Sequence, residues 1–358
     1  MIFFIRKDSM VYDLFGAKGI NIEIPKNVFP TKEELYLMDQ LVPGGEHGWF
    51  ESSYQKAKLH YQAWIPTGEV KGVVVFCHGV HSNCTKGTIV DGQKFSTSLQ
   101  VDAFHRLGFA FYTFDYLGHG FSEGTRFYIP DWRVNKQDVI NFCNLAASKH
   151  SKDIPFFLSG DSYGGCLAIH VARHFQDHPE DGPSSFDAIL LTAPAIIGEL
   201  PPFPKYQILR YILAPLFPKW TPFFMPNPIS PERLWRHPEI LKERTSHRYL
   251  EMGLDGSGLP YRLGTAVNLV VALEEVRNNV IPGLTVPFCT VHGTADDGVP
   301  MEGSIFLAEN SGTPAAQQEF HRIEGACHDL LADPLAECVI GHWIKFVQKR
   351  MTFRKENM

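Results

Sequence analysis

Ser162 lies in Gly160-Asp161-Ser162-Tyr163-Gly164, between the apolar run Phe156-Phe157-Leu158 and the helical pattern Cys166-Leu167-Ala168-Ile169. An alcohol is a poor nucleophile near neutral pH. A serine used for attack therefore needs a base within hydrogen-bonding reach and an acid that fixes the base's tautomer. Glycines at this spacing suit a sharp strand-to-helix turn, because a Cβ on either flank collides with the strand or the helix. Such a turn points the Ser162 hydroxyl outward. It also sets the Tyr163 N–H at a helix N-terminus, aimed at an oxyanion forming there. A serine that merely begins a helix has the same local pattern, so the rest of the chain must decide between the two.

Both missing partners occur downstream. His292-Gly293-Thr294-Ala295-Asp296-Asp297 follows one apolar run and puts two carboxylates in one loop. Glu324-Gly325-Ala326-Cys327-His328-Asp329 follows the next run. Serine, aspartate and histidine in that order, each just past a strand, is the arrangement an α/β-hydrolase triad demands, and it favours the nucleophile reading. Either Asp296 or Asp297 has the place for the acid.

The elements that must hold these loops are legible from hydrophobic periodicity. Apolar runs at 73–77, 109–114, 154–159, 188–192, 286–291 and 318–323 read as strands, and helical patterns at 95–107, 138–148 and 334–349 fall between or after them. Strands alternating with helices predict a mostly parallel central sheet covered by helices on both faces. Alternating residues near 49–51 and 58–65 predict an antiparallel edge. Residues 196–283 break the rhythm with no clear strand. Their first part is crowded with proline and with Phe203, Tyr206, Tyr211, Phe217, Trp220, Phe223 and Phe224. The prolines, Lys205, Arg210 and Lys219 exclude a membrane span there. Ser230-Pro231-Glu232 starts a helix, and 266–276 is a further apolar helix. This segment is expected to be an inserted, mainly helical cap over the carboxyl ends of the strands, where open α/β sheets bind ligands. The expected layout is an extension at 1–45, a core at 46–195 and 284–350, a cap at 196–283 and a tail at 351–358.

A chain of 358 residues, 44% hydrophobic and 20% charged, can bury one large core with an insertion. Its net charge of -6 excludes nucleic acid as the main partner. The 7 cysteines are odd in number and scattered without C-x-x-C spacing, which points to neither disulfides nor a zinc site and fits a reducing, cytoplasmic compartment. Met1-Ile2-Phe3-Phe4-Ile5 runs straight into Arg6, Lys7 and Asp8, too short an apolar stretch for a signal peptide or a span. No cofactor is called for, and no feature sets an oligomeric state. Cys166, His170 and His174 share one helix face, where burial of the first and solvation of the last is the expected reading rather than a metal site. Cys327 is expected to be a small buried filler.

His78-Gly79, the loop Phe114-Asp115-Tyr116-Leu117-Gly118-His119-Gly120-Phe121-Ser122-Glu123-Gly124, the Ser162 turn, Gly293-Thr294-Ala295-Asp296 and Gly325-Ala326-Cys327-His328 together resemble the monoacylglycerol lipase and lysophospholipase branch of the α/β-hydrolases. The resemblance spans roughly residues 50–350. It implies hydrolysis of carboxylic esters of single-chain lipids, without cofactor or metal, through an acyl-enzyme. Carried over by position, it implies Ser162 as nucleophile, His328 as base, Asp296 as its acid, and the N–H groups of Val80 and Tyr163 as oxyanion hole. His78 and Gly79 fall in the family's substrate loop, with His78 expected to bond within its loop and His119 to shape the floor of the site rather than react. The sequence departs from the family at Val80-His81-Ser82-Asn83, where head-group contacts are usual, and at Asp161, commonly histidine or glutamate. A proline-iminopeptidase-like peptidase and a non-catalytic receptor on the same fold are the alternatives. The aromatic cap can also meet a membrane or micelle surface.

Overall fold

The computed structural model describes residues 42–357, apart from 85, 199, 223–224, 226–229, 245–255 and 257, together with the short antiparallel pair Phe3–Phe4 and Val11–Tyr12. The remainder of the expected extension lies outside the described residues. Eight strands form one sheet: β1 (Glu46–Glu51), β2 (Lys58–Trp64), β3 (Gly72–Cys77), β4 (Phe109–Phe114), β5 (Phe156–Asp161), β6 (Phe186–Thr192), β7 (Phe288–Gly293) and β8 (Gln318–Ile323). Their spatial order is β8-β7-β6-β5-β3-β4-β2-β1. Pairing is parallel from β8 to β4, and antiparallel for β2 with β4 and with β1. The expected parallel sheet with an antiparallel edge is therefore present.

The central strands are unbroken apolar runs because both sheet faces are covered. Side chains alternate along β3. Val73, Val75 and Cys77 enter one core with α2 (Trp132–Ser148) and α3 (Tyr163–Asp177). Val74 and Phe76 enter the other with α1 (Ser96–Arg106) and α6 (Ala336–Asn357). Asp131 caps α2 by accepting a hydrogen bond from the Arg133 N–H, which moves the start of that helix ahead of the expected residue 138. At the other end α6 runs on to Asn357, so the expected tail at 351–358 is helical as far as that residue.

Within residues 196–283 the described elements are all helical, the longest being α4 (Leu263–Glu275). The segment's described residues build no separate core. Leu234, Trp235 and Ile240 join the core on one sheet face, and Ala272 and Val276 join that on the other. A hairpin of Gly87–Val90 and Gln93–Phe95, which periodicity did not reveal, precedes α1.

Candidate active site

The parallel strands deliver three loops to one end of the sheet. Ser162 sits between β5 and α3 with φ 54° and ψ -117°, a backbone that costs a non-glycine residue about 1–3 kcal/mol. Neighbours hold it there. The Ser162 N–H donates to the Thr192 carbonyl at 3.0 Å, and the Ser162 carbonyl accepts from Ala195 at 2.9 Å. The glycines are required by contact: an added Cβ on Gly160 would strike the Gly164 carbonyl, and one on Gly164 the Cys77 carbonyl.

His328, in the loop after β8, turns its Nε2 to Ser162 Oγ at 3.0 Å and its Nδ1 to Asp296 Oδ2 at 2.8 Å. Asp296 lies after β7, and its other oxygen accepts the backbone N–H groups of Gly298 and Val299, both at 2.8 Å. Asp297 is exposed, and the contact it makes is through its carbonyl, to Arg233 at 3.4 Å. The structure thus brings Ser162, His328 and Asp296 together and leaves Asp297 outside. Sequence reasoning missed a further support. His292, buried at the end of β7, sets its Nε2 3.1 Å from Asp296 Oδ2, while its Nδ1 lies 2.7 Å from Ser304 Oγ. A histidine near the end of a buried central strand was the available signal.

Burial works against charge on both members of the pair, and mutual attraction overrides it. The His328 imidazole, lowered by burial but raised more by the Asp296 carboxylate and its hydrogen bond, stands at about 9. Burial raises the Asp296 carboxyl, yet His328 and His292 hold it well below the usual carboxylate range. With an anion on Nδ1–H, the Nε2 lone pair is oriented to accept the Ser162 proton, and an imidazolium is stabilised once formed. Beside them, burial first and the Asp329 carboxylate second push Asp161 up to about 7.

Tyr163 opens α3, where a backbone N–H has no partner within the helix. The loop after β3 runs hard against the turn, since a Cβ on Gly79 would lie 3.3 Å from Ser162 Cβ. Val80, Ser162 and Tyr163 line a cavity of about 920 Å³. Its wall is largely apolar, with Val267, Val270 and Leu273 from α4 and Ile197 and Leu209 from the preceding segment, while Tyr261, Arg233 and Glu302 add polar groups. This volume is typical of a small-molecule site.

His78 and Gly79, expected in the substrate loop, are not among the residues lining this cavity. The buried His78 ring places Nδ1 2.7 Å from the Gly79 carbonyl and its Nε2 accepts the Tyr116 N–H at 3.3 Å, so it braces the loop from beneath. His119 is buried with Nδ1 3.0 Å from the Leu117 carbonyl, and burial keeps it well below the usual imidazole range. Cys166 is buried, His170 reaches the Ala272 carbonyl at 3.0 Å, and His174 meets the exposed Asp181 at 2.9 Å. Cys327 is buried as well.

A second contact network carries the His328 loop. Trp235 Nε1 donates to Asp329 Oδ2 at 2.8 Å, Lys86 Nζ lies 3.3 Å from the same oxygen, and the Asp329 N–H donates to the Leu234 carbonyl at 3.4 Å. The residue after the base is thereby tied to the helical segment and to the start of the hairpin.

Comparison with known proteins places the chain in a family. The family profile described as serine aminopeptidase, S33 matches residues 68–335. The chain is 29% identical over 328 residues to a caffeoylshikimate esterase of Arabidopsis thaliana, covering 89% of this chain and 90% of that protein. It is 27% identical over 275 residues to a monoglyceride lipase of Rattus norvegicus, covering 76% and 80%. Among solved structures, a soluble variant of the Saccharomyces cerevisiae monoglyceride lipase in complex with a substrate analog superposes with a TM-score of 0.64 at 19% identity, covering 91% of this chain and 99% of that one. The mostly parallel sheet of eight strands is the fold of these neighbours. The chain belongs to the serine aminopeptidase S33 family, as a monoacylglycerol lipase-like α/β-hydrolase.

Proposed function

We propose that the protein hydrolyses carboxylic esters of single-chain lipids, such as monoacylglycerols, by two-step acyl transfer. Ser162 Oγ attacks the ester carbonyl as His328 Nε2 takes its proton. The oxyanion is held by the N–H groups of Val80 and Tyr163, and Asp296 stabilises the imidazolium. His328 then returns the proton to the leaving alcohol, and a water activated by the same base releases the acid and frees the serine. The observation that carries this reading is the Asp296–His328–Ser162 relay, at 2.8 and 3.0 Å, opening onto an apolar cavity of about 920 Å³. Relatives named for monoglyceride hydrolysis support the substrate class. They favour esters over the peptidase and receptor alternatives.

In this reading residues 196–283 act as a cap, and α4 is the wall along which the acyl chain lies. The cap also presents the protein to lipid. Phe203 is 81% exposed, Leu216 66% and Tyr211 65%, large apolar side chains in one short stretch that also carries the exposed Lys205. Such a stretch suits peripheral docking on a membrane or micelle that holds the substrate. Among the described residues no helix is long and apolar enough to cross a membrane.

The likeness to a caffeoylshikimate esterase favours a second reading, in which the acyl group is aromatic and the alcohol polyhydroxylated. A series of monoacylglycerols of increasing chain length, lysophospholipids, hydroxycinnamoyl esters and short aryl esters separates the two. The lipid reading predicts kcat/KM that climbs with chain length. A flat profile with the hydroxycinnamoyl ester ahead overturns it and leaves the hydrolase intact.

A further inference from the structure

Far along the sheet from the nucleophile, the outer edge strand gathers metal-binding side chains of three elements. Cys289 on β7 and Glu319 on β8 are register partners, and His321 follows two residues on, so all three share a sheet face. The Cys289 Sγ, a Glu319 oxygen and a His321 ring nitrogen lie within 4.8 Å of one another. The helix packed on that face, α6, adds His342, whose ring stacks on that of His321 at 3.8 Å and 24°. One turn earlier, Cys338 Sγ stands 3.8 Å from His342 Nε2. We propose that Cys289, Glu319, His321 and His342 form a zinc-binding site that fastens the C-terminal helix to the sheet edge.

The donor set decides the metal. Thiolate, imidazole and carboxylate together suit zinc, whereas magnesium and calcium take oxygen ligands. Tetrahedral zinc with these bond lengths sets its ligand atoms roughly 3.3–3.8 Å apart, so the three nearest donors need to close in only slightly. Glu319 Oε2 and His321 Nε2 already stand 3.1 Å apart. His342 must turn about its Cβ–Cγ bond, a broad torsion, to point a nitrogen at the shared ion.

The site's charges bear on binding in both directions. The Glu319 carboxylate supplies negative charge that favours a cation. Lys349, 3.1 Å from Glu319 Oε1, opposes a cation, but its side chain is 57% exposed and free to swing into water. The Cys289 side chain is buried and ligates as a thiolate, so its thiol proton must leave. Zinc takes the place of that proton, which leaves to solvent, so one proton is released per ion bound. The sequence concealed the site because its donors are separated along the chain and meet only where β7, β8 and α6 pack.

The test is zinc titration of the metal-free full-length protein against a chromophoric chelator, with thermal unfolding as a second readout. The expected result is one zinc per chain, with a raised Tm and no comparable effect of magnesium. Loss of a direct ligand in His321→Gln, or in the double variant with His342→Gln, should weaken binding by more than the roughly 10-fold typical of losing a supporting partner. Both changes are at half-exposed positions and leave the core intact. Zinc that binds the variants as tightly as the parent, or fails to bind at one per chain, overturns the proposal.

Discussion

His328 is the residue on which the pH dependence turns. Its imidazole stands at about 9, above its usual range, because Asp296 and, more distantly, Asp161 and Asp329 favour the cation. A raised value means that the base is protonated, and idle, below it. Hydrolysis is therefore expected to fall as pH drops, along a limb whose midpoint lies above the ordinary histidine value of about 6.5. The same shift favours the folded state fully below the unfolded value, and that contribution fades as pH rises through about 9. Asp161→Asn removes one negative neighbour, so kcat/KM profiles should show the limb moving toward lower pH with the fold unchanged. A limb that stays in place would assign Asp161 no part in tuning the base. At this scale the sequence was informative where chemistry needs fixed residue types, as at Ser162 and His328. It was silent on His292 and Trp235, whose roles depend on which loops pack side by side.

At the scale of elements, the helical segment and the loop of the base form one unit. Trp235 belongs to the core on one sheet face and donates to Asp329, the chain neighbour of His328. A hydrogen bond to a carboxylate contributes about 1.5–3 kcal/mol. Trp235→Phe keeps most of the buried ring but removes the donor, leaving Lys86 as the partner of Asp329. The expected outcome is a lower kcat with KM nearly unchanged and a modest loss of stability, read from steady-state kinetics and denaturant titration. Strand identity was legible because the central strands are apolar on both faces; Val73, Val74 and Val75 show no polar alternation and are buried on both sides. Element ends were less so. The turn at Ser162 belongs to a strand that continues to Asp161, two residues beyond the apolar run, because its last pairs with β6 are backbone bonds indifferent to side-chain polarity. The hairpin before α1 was hidden for a related reason, since Gly87–Val90 and Gln93–Phe95 are short and half polar.

Taken whole, the molecule places exposed apolar side chains on the segment that also walls the reactive cavity. Phe203, Tyr211 and Leu216 lie on the surface, while Leu209 of the same stretch faces the cavity. In the proposed function, binding to a lipid surface and admission of an acyl chain fall to one region. Replacing Phe203 and Leu216 with aspartate should reduce sedimentation with phospholipid vesicles and slow turnover of aggregated long-chain esters. Turnover of a soluble short ester by the same variant should be unchanged, because neither side chain lines the cavity. Equal losses on both substrates would show that these side chains serve the fold instead.

The central claim, that Ser162 is a nucleophile activated by His328, is tested most directly by covalent labelling with a fluorophosphonate, the modified residue being located by mass spectrometry of the digested protein. The account predicts one label per chain on Ser162, abolished in Ser162→Ala and strongly slowed in His328→Ala. A label on another residue, or undiminished labelling of Ser162→Ala, would contradict it.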